Sequence, residues 1–162
     1  NLLKFSQEAC SLGIAAIKSG SPILTDTDMA AVAIKSMAAN SKQTKVFSAK
    51  KWIKQDKLTN STKTAYAIEH AWAELTKIYF GSKAPIVVFG SSPTALERLL
   101  DILENDPCKP SLIIGMPVGF IGVERSKSRL MRSNYPYIIL NATRGGAAMA
   151  AATINALLRE SF

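Results

Sequence analysis

Short runs of apolar residues alternate with longer amphipathic segments along this chain of 162 residues. Five of these runs predict strands. The central runs are apolar without interruption, which is typical of strands that are buried on both faces. They lie at residues 22–25, 45–48, 85–89, 111–114 and 136–140. The spacing of apolar positions predicts helices over residues 2–19, 29–39, 63–79, 94–104 and 147–158. The alternation predicts one three-layer α/β domain over residues 1–162, in which helices flank a roughly five-stranded parallel sheet.

The composition narrows the class of protein. Hydrophobic residues make up 48% of the chain and charged residues 20%, as in an ordinary folded soluble domain. No run approaches about 18 apolar residues without a charge, so we expect no membrane-spanning helix. Cys10 and Cys108 show neither metal-ligand nor redox spacing, which predicts reduced thiols and a cytoplasmic location. Because the chain opens at Asn1 inside a helical pattern, we expect the N-terminal part of the domain to be missing from it.

The net charge of +8 predicts an anionic partner, with nucleic acid, phosphate and a polycarboxylate as the options. Six lysines cluster at residues 42, 45, 50, 51, 54 and 57, and a solvated basic face is the simpler interpretation. Aromatic residues are scarce among them, so a stacking platform for single-stranded nucleic acid is poorly supported. A basic nucleic-acid-binding protein is nevertheless kept as an alternative function.

A parallel sheet binds its ligand at the carboxyl ends of its strands, so the loops there form the candidate site. The loop at 90–96 places Ser92 at an N-cap and Pro93 at the first helical position. Its N–H groups can hold a carboxylate or phosphate, and an ordinary capped helix start is the alternative. In the loop at 115–120, the two glycines permit a positive φ or a close backbone approach, and Pro117 stiffens the turn.

The third loop, at 141–147, places Arg144 beside Gly145 and Gly146 at a helix start. A guanidinium next to open backbone amides is a good carboxylate clamp, and a surface arginine is the alternative. The charged residues after position 122, among them Arg125 and Lys127, can seat an anion or face water.

Several other polar residues have plainer interpretations. Asp26 or Asp28 is expected to cap a helix. The segment 61–64 begins a helix and can present hydroxyls and an ammonium group to an anion, or it is only a cap with an exposed Lys63. His70 has no second histidine or cysteine at ligand spacing, so packing is favoured over catalysis or metal binding. The loops lack the fingerprints of nucleotide-binding enzymes.

These loops, in this order, resemble the precorrin-8X methylmutase family, the precorrin isomerases of cobalamin biosynthesis. The stretch Gly-Met-Pro-Val-Gly-Phe-Ile-Gly at 115–122 is the most specific match, and the resemblance covers nearly the whole chain. The other matching segments are 21–26 with Met29, 90–96, 109–114, Glu124 with 126–127, and 144–149.

The resemblance implies a five-stranded parallel α/β fold, a homodimer with active sites near the subunit interface, and an isomerisation without a cofactor. The substrate would be precorrin-8 or cobalt-precorrin-8, in which a methyl group moves from C-11 to C-12 to give hydrogenobyrinate or cobyrinate. The many carboxylates of such a substrate agree with a basic chain, and neither nucleic acid nor a membrane is expected as a partner. A non-catalytic tetrapyrrole-binding paralogue is the alternative.

On this resemblance, the three loops and two lysines are expected to contact the substrate. The residues are Lys63, Gly90, Ser92, Thr94, Met116, Pro117, Val118, Gly119, Phe120, Lys127, Arg144, Gly145 and Gly146. No catalytic residue is assigned, because the family's catalytic histidine, the expected general acid, precedes the region that matches Asn1. Lys63 and Thr143 stand where the family usually has arginine. Lysine keeps the charge but loses bidentate carboxylate geometry, so substrate affinity or activity is expected to differ.

Overall fold

The computed structural model describes residues 2–41, 43–53 and 62–162. Within these ranges the strands are β1 (Leu3–Phe5), β2 (Ile23–Thr25), β3 (Val46–Ser48), β4 (Ile86–Phe89), β5 (Leu112–Gly115) and β6 (Tyr137–Leu140). The α-helices are α1 (Ala9–Ser19), α2 (Asp28–Ala38), α3 (Lys63–Thr76), α4 (Pro93–Leu103), α5 (Val123–Met131) and α6 (Ala147–Glu160). The five predicted strands and the mixed α/β fold are confirmed.

The strands form one sheet in the order β1-β6-β5-β4-β2-β3. Five strands are mutually parallel, and β1 runs antiparallel to β6 at the edge, with Leu3 opposite Leu140 and Phe5 opposite Ile138. The predicted sheet of roughly five parallel strands is confirmed, and β1 adds a sixth, antiparallel strand at its edge. The helix predicted from residue 2 begins only at Ala9, because residues 3–5 pair with the sheet edge. A segment of three residues, here Leu-Lys-Phe, is too short for its periodicity to separate strand from helix.

A second correction concerns α5, for which no helix was predicted. Its buried residues follow the helical spacing i, i+3, i+4 and i+7, but two of the four are Ser126 and Lys127. Polar side chains on the inner face conceal the apolar stripe by which an amphipathic helix is recognised.

The backbone conformation of Gly115 also differs from the prediction. Gly115 ends β5 and does not have a positive φ, whereas Gly119 has a φ of 134°.

The core has two layers, one on each face of the sheet. Alternate strand residues such as Ile86 and Val88 pack with α1, α2 and α6, while Val87 and Phe89 pack with α3, α4 and α5. Burial on both faces explains why the central strands are continuously apolar. Within the described ranges, no helix has both the length and the apolar composition needed to cross a membrane.

The strand order reverses between β2 and β4, because the chain passes from β2 outward to β3 and then returns across β2 to β4. Loops that leave such a switch point diverge and open a crevice at the carboxyl edge of the sheet. The loops after β4, β5 and β6 continue along this same edge, since those three strands are direct neighbours. The sheet thus brings the three predicted loops side by side.

Candidate functional site

The three loops are in direct contact at the carboxyl edge. A Cβ added to Gly90 would lie 2.6 Å from the Cα of Ala147, and one added to Gly145 would lie 2.2 Å from the carbonyl oxygen of Met116. The Gly146 N–H also donates to the Met116 carbonyl at 2.9 Å. Glycine is therefore required at positions 90 and 145 because neighbouring backbone occupies the space of a side chain.

The N–H groups of the loop after β4 are occupied by a carboxylate from inside the protein. Asp26, at the end of β2, accepts hydrogen bonds from the backbone N–H of Gly90 at 3.0 Å and from those of Ser91 and Ser92 at 2.8 Å each. These three N–H groups are therefore not free to hold an external anion. The carboxyl group is buried, and burial raises its pKa while the three N–H donors act in the opposite direction.

Asp26 is also not the expected helix cap. Thr27 takes the N-cap position of α2 and accepts from the Ala30 N–H, and Asp28 is the first residue of the helix. The pattern Asp-Thr-Asp before a helix permits either aspartate to cap. Only the approach of the loop after β4 shows that Asp26 serves a different segment, 64 residues further along the chain.

A cluster of four hydroxyls joins the start of α3 to the start of α4. Thr64 lies 2.7 Å from Ser92, Thr62 lies 3.0 Å from Thr94, and Ser92 lies 3.0 Å from Thr94, measured between hydroxyl oxygens. Thr62 and Ser92 also cap their helices by accepting from Ala65 N–H and Ala95 N–H. The predicted residues Ser92 and Thr94 are thus held together, with exposed Lys63 beside them in the sequence. Ser61 lies outside the described residues.

A hollow of about 480 Å³ opens next to this cluster and is lined partly by Thr62, Thr94 and Gly122. Three arginines also line it, but two of them form ion pairs with carboxylates of the protein. One of the two, Arg98, forms two hydrogen bonds to Glu69. The other, Arg129, binds two acidic residues of α4 and the one that follows its end, namely Glu97, Asp101 and Glu104.

The third arginine, Arg125, is 84% exposed and has only a 3.7 Å contact between its Nε and a Glu97 oxygen. The sequence predicts that Arg125 either seats an anion or faces water, and its exposure on α5 is compatible with both.

The Arg144 loop lines a second hollow of about 520 Å³. Val118, Leu140, Thr143, Gly145 and Met149 are among its other lining residues. Arg144 is exposed, so its guanidinium is accessible from this hollow. Residues 116–121 contribute to both hollows, Val118 to this one and Ile121 to the first, while Met116 and Pro117 are buried. The predicted loops thus share one edge but line two hollows.

The predicted residue Lys127 lies beneath the surface. Its side chain is fully buried, and its Nζ donates to the backbone carbonyls of Ala142 at 2.8 Å and Arg144 at 2.5 Å. Burial lowers the pKa of Lys127 to about 8, and the charge of Glu124 acts in the opposite direction. An ammonium group in this position holds the loop from below.

Apolar side chains project from the loop between the two hollows. Phe120 is 93% exposed, Ile121 is 91% exposed, and Val118 is about half exposed. Gly119 allows the turn that presents them, because its φ of 134° is unfavourable for residues with a side chain. The edge thus combines an apolar tip with cationic and hydroxyl groups at its sides, which suits a large ring carrying acidic substituents.

Residues outside this edge keep their plainer roles. The ring of His70 stacks on Tyr66 at 3.9 Å between centroids, and its Nδ1 lies 3.0 Å from the Tyr66 carbonyl oxygen. Among the described residues, no group of three or more His, Cys, Asp or Glu residues is arranged to hold a metal ion. Lys45, Lys50 and Lys51 are exposed, while Lys42, Lys54 and Lys57 of the basic cluster lie outside the described residues.

Comparison with known proteins identifies the family. The family model CbiC, described as precorrin-8X methylmutase, matches residues 1–160. The precorrin-8X methylmutase of Pseudomonas aeruginosa is 40% identical over 163 residues, which covers 98% of this chain and 74% of that protein. The cobalt-precorrin-8 methylmutase of Leptospira interrogans is 30% identical over 172 residues, with the same two coverages.

A solved structure agrees with the sequence comparisons. A precorrin-8x methyl mutase from Thermus thermophilus superposes with a TM-score of 0.83 at 29% sequence identity. The superposition covers 99% of this chain and 76% of the other. With its sequence matched from residue 1 to 160 and its fold matched over almost its full length, this chain belongs to the precorrin-8X methylmutase family.

Proposed function

We propose that this protein catalyses the isomerisation for which its family is named, moving a methyl group from C-11 to C-12 of precorrin-8 or cobalt-precorrin-8. The product is hydrogenobyrinate or cobyrinate. The family match over residues 1–160 carries this proposal. It is supported by the carboxyl edge of the sheet, where cations and hydroxyls surround an apolar loop.

The substrate is a macrocycle with acetate and propionate side chains, so its binding needs both carboxylate donors and an apolar surface. Arg144 supplies donors from one hollow, and Arg125 with the Thr62–Thr94 hydroxyls supplies them from the other. Val118 and Phe120, exposed between the hollows, offer apolar contact to the ring. Held at several points, the ring loses its freedom before the methyl shift, which lowers the entropic part of the barrier.

Two predicted contacts change under this proposal. The loop after β4 contributes the hydroxyls of Ser92 and Thr94, because three of its N–H groups, including that of Gly90, already bind Asp26. Lys127 acts from beneath the loop, because its ammonium group is buried. Met116, Pro117, Gly119, Gly145 and Gly146 shape the two hollows through their backbone. Lys63, at the exposed start of α3, remains a weaker candidate for carboxylate contact.

Incubation of the complete protein with precorrin-8 or cobalt-precorrin-8 tests the proposal. The absorption spectrum is expected to change to that of the product that carries the methyl group at C-12, with many turnovers per protein molecule. Tight product binding without turnover would support the tetrapyrrole-binding paralogue instead. Salt-dependent DNA retention that a polycarboxylate cannot displace would support a nucleic-acid-binding protein.

We also propose that the protein is a homodimer that associates through the outer face of α2 and α6. Met29 and Val32 of α2 are 72% and 67% exposed, and Met149 of α6 is 49% exposed. A contiguous apolar patch is typical of an interface between proteins. Met149 also lines the Arg144 hollow, so this interface would adjoin the candidate site. Sedimentation at twice the monomer mass would support the dimer, and its loss in V32E would assign the surface.

The free thiols of Cys10 and Cys108 support a reducing compartment, so we propose a cytoplasmic location.

A further inference from the structure

Lys127 is a buried cation whose hydrogen-bond donors are directed at a single loop. On helix α5 the Lys127 side chain is buried together with those of Val123, Ser126 and Leu130. Its Nζ then reaches the carbonyl oxygens of Ala142 and Arg144, two residues apart. No carboxylate among the described residues forms an ion pair with it, and burying an ammonium group without such a partner carries a desolvation cost. An uncharged side chain of similar length would fill the same space without that cost, so packing alone does not account for a lysine here.

The loop that Lys127 holds is strained. Ala142 has a φ of 61°, which is unfavourable for any residue with a Cβ. The hydrogen bond from Lys127 to the carbonyl of this same residue stabilises the left-handed conformation. Three residues later the chain closes onto the neighbouring loop, where Gly145 packs against Met116 and the Gly146 N–H donates to the Met116 carbonyl. Arg144 therefore lies between two fixed points, one from below and one from the side.

We propose that Lys127 is a positioning residue, which sets the direction of the Arg144 guanidinium into its hollow and does not itself contact the substrate. The proposal rests on the function proposed above. Direct contact would require an accessible ammonium group, whereas the Lys127 side chain has no exposed surface. Arg144, in contrast, is exposed and lines the hollow. Burial also lowers the pKa of Lys127 to about 8, which agrees with an ammonium group kept away from water.

A double-mutant cycle between Lys127 and Arg144 tests this proposal. The affinity of each variant for the corrinoid product, hydrogenobyrinate, is measured by absorbance titration. Loss of one charged hydrogen-bonding group is expected to weaken binding about tenfold or more, so R144A should show at least that loss. K127M should lose a similar factor. The double variant should bind no more weakly than R144A alone, because Lys127 acts only through Arg144.

Two further variants separate positioning from general damage. A142G relieves the strain that Lys127 offsets, so K127M/A142G is expected to recover part of the lost affinity. K109M is the matched control, because the Nζ of Lys109 also donates to a backbone carbonyl, that of Leu103, at the opposite edge of the sheet. Its product affinity should equal that of the wild-type protein. If K127M fails to fold, K127Q, which keeps a donor, takes its place in the cycle.

Hydrogen exchange at residues 141–147 gives a readout that does not depend on the ligand. The amides of this loop should exchange faster in K127M than in wild-type protein or K109M. Unchanged exchange, unchanged product affinity in K127M, or losses that multiply with R144A would overturn the positioning role. Failure of the wild-type protein to bind the product would count against the proposed function, while the exchange experiment would still decide how Lys127 acts.

Discussion

Two neighbouring loops at the carboxyl edge are held in opposite ways. The loop after β4 is held through its N–H groups by the buried carboxylate of Asp26. The loop after β6 is held through its carbonyl oxygens by the buried ammonium of Lys127. In each case the charge comes from a different element, β2 or α5, so the loop is tied to the body of the domain.

The difference determines what each loop can offer a ligand. Once its N–H groups are occupied, the loop after β4 presents the hydroxyls of Ser92 and Thr94. The loop after β6 has its carbonyls turned inward and presents the guanidinium of Arg144. A Gly-rich loop at a helix start is therefore not necessarily an anion site, because the protein can supply its own carboxylate. The next three experiments examine this contrast, beginning with the largest expected effect.

Removal of the Asp26 carboxylate should be the most damaging change. D26A leaves three backbone N–H groups without their partner, two of them buried, and each unsatisfied group costs about 1–3 kcal/mol. We expect a loss of roughly 3–5 kcal/mol in the free energy of unfolding, measured by urea denaturation. D28A is the matched control, since Asp28 is exposed and only 4.0 Å from Lys50; it should cost less than about 1 kcal/mol. Equal losses in both variants would show that the three hydrogen bonds contribute little.

Alanine substitution of the paired glycines tests how the loop after β6 is seated. In G145A the new Cβ would meet the Met116 carbonyl oxygen at 2.2 Å, so the backbone must move. We expect a loss of about 2–4 kcal/mol in unfolding free energy and weaker product binding. G146A has open space around the new Cβ and should cost about 1–2 kcal/mol through its φ of 122° alone. A smaller loss in G145A than in G146A would contradict the close packing of the two loops.

The pH dependence of the free energy of unfolding should show that the pKa of the buried Lys127 ammonium group is lowered. The folded-state pKa of Lys127, about 8, lies below the ordinary lysine value of 10.5, so between these pH values the unfolded chain binds more protons. The contribution of Lys127 to stability therefore rises with pH across this window, by at most about 1.4 kcal/mol per pH unit for one group. K127M should lack this rise, and other titrating groups cancel when the two proteins are compared.

Product affinity should change in the other direction over the same window. As Lys127 loses its proton, it holds the Arg144 loop less firmly, so wild-type affinity should fall from pH 8 to 10 more than that of K127M. Urea denaturation and product titration at several pH values measure both trends. Parallel stability curves for the two proteins would contradict the lowered pKa.

The family and most of the fold could be predicted from the chain, because both rest on local patterns. Continuous apolar runs such as 86–89 mark strands covered on both faces, and the stretch 115–122 is specific to its family. The prediction failed where local pattern and burial disagree. Helix α5 buries Ser126 and Lys127, and β1 is too short to show a period. Arg125 was predicted either to seat an anion or to face water, and only the structure shows that it lines a hollow at the carboxyl edge.

By itself, the sequence determined most of the segments that become strands and helices, that three Gly-containing loops follow predicted strands, and to which family the chain belongs. Only the tertiary structure decided which charges meet those loops. Asp26 lies 64 residues from Gly90, and Lys127 lies 15 residues from Ala142. The partner of a side chain across such distances depends on the order in which the strands pair in the sheet. Local sequence preferences do not predict that contact. The same physical cause turned one predicted anion site into an internal hydrogen-bond network and one predicted ligand contact into a buried support.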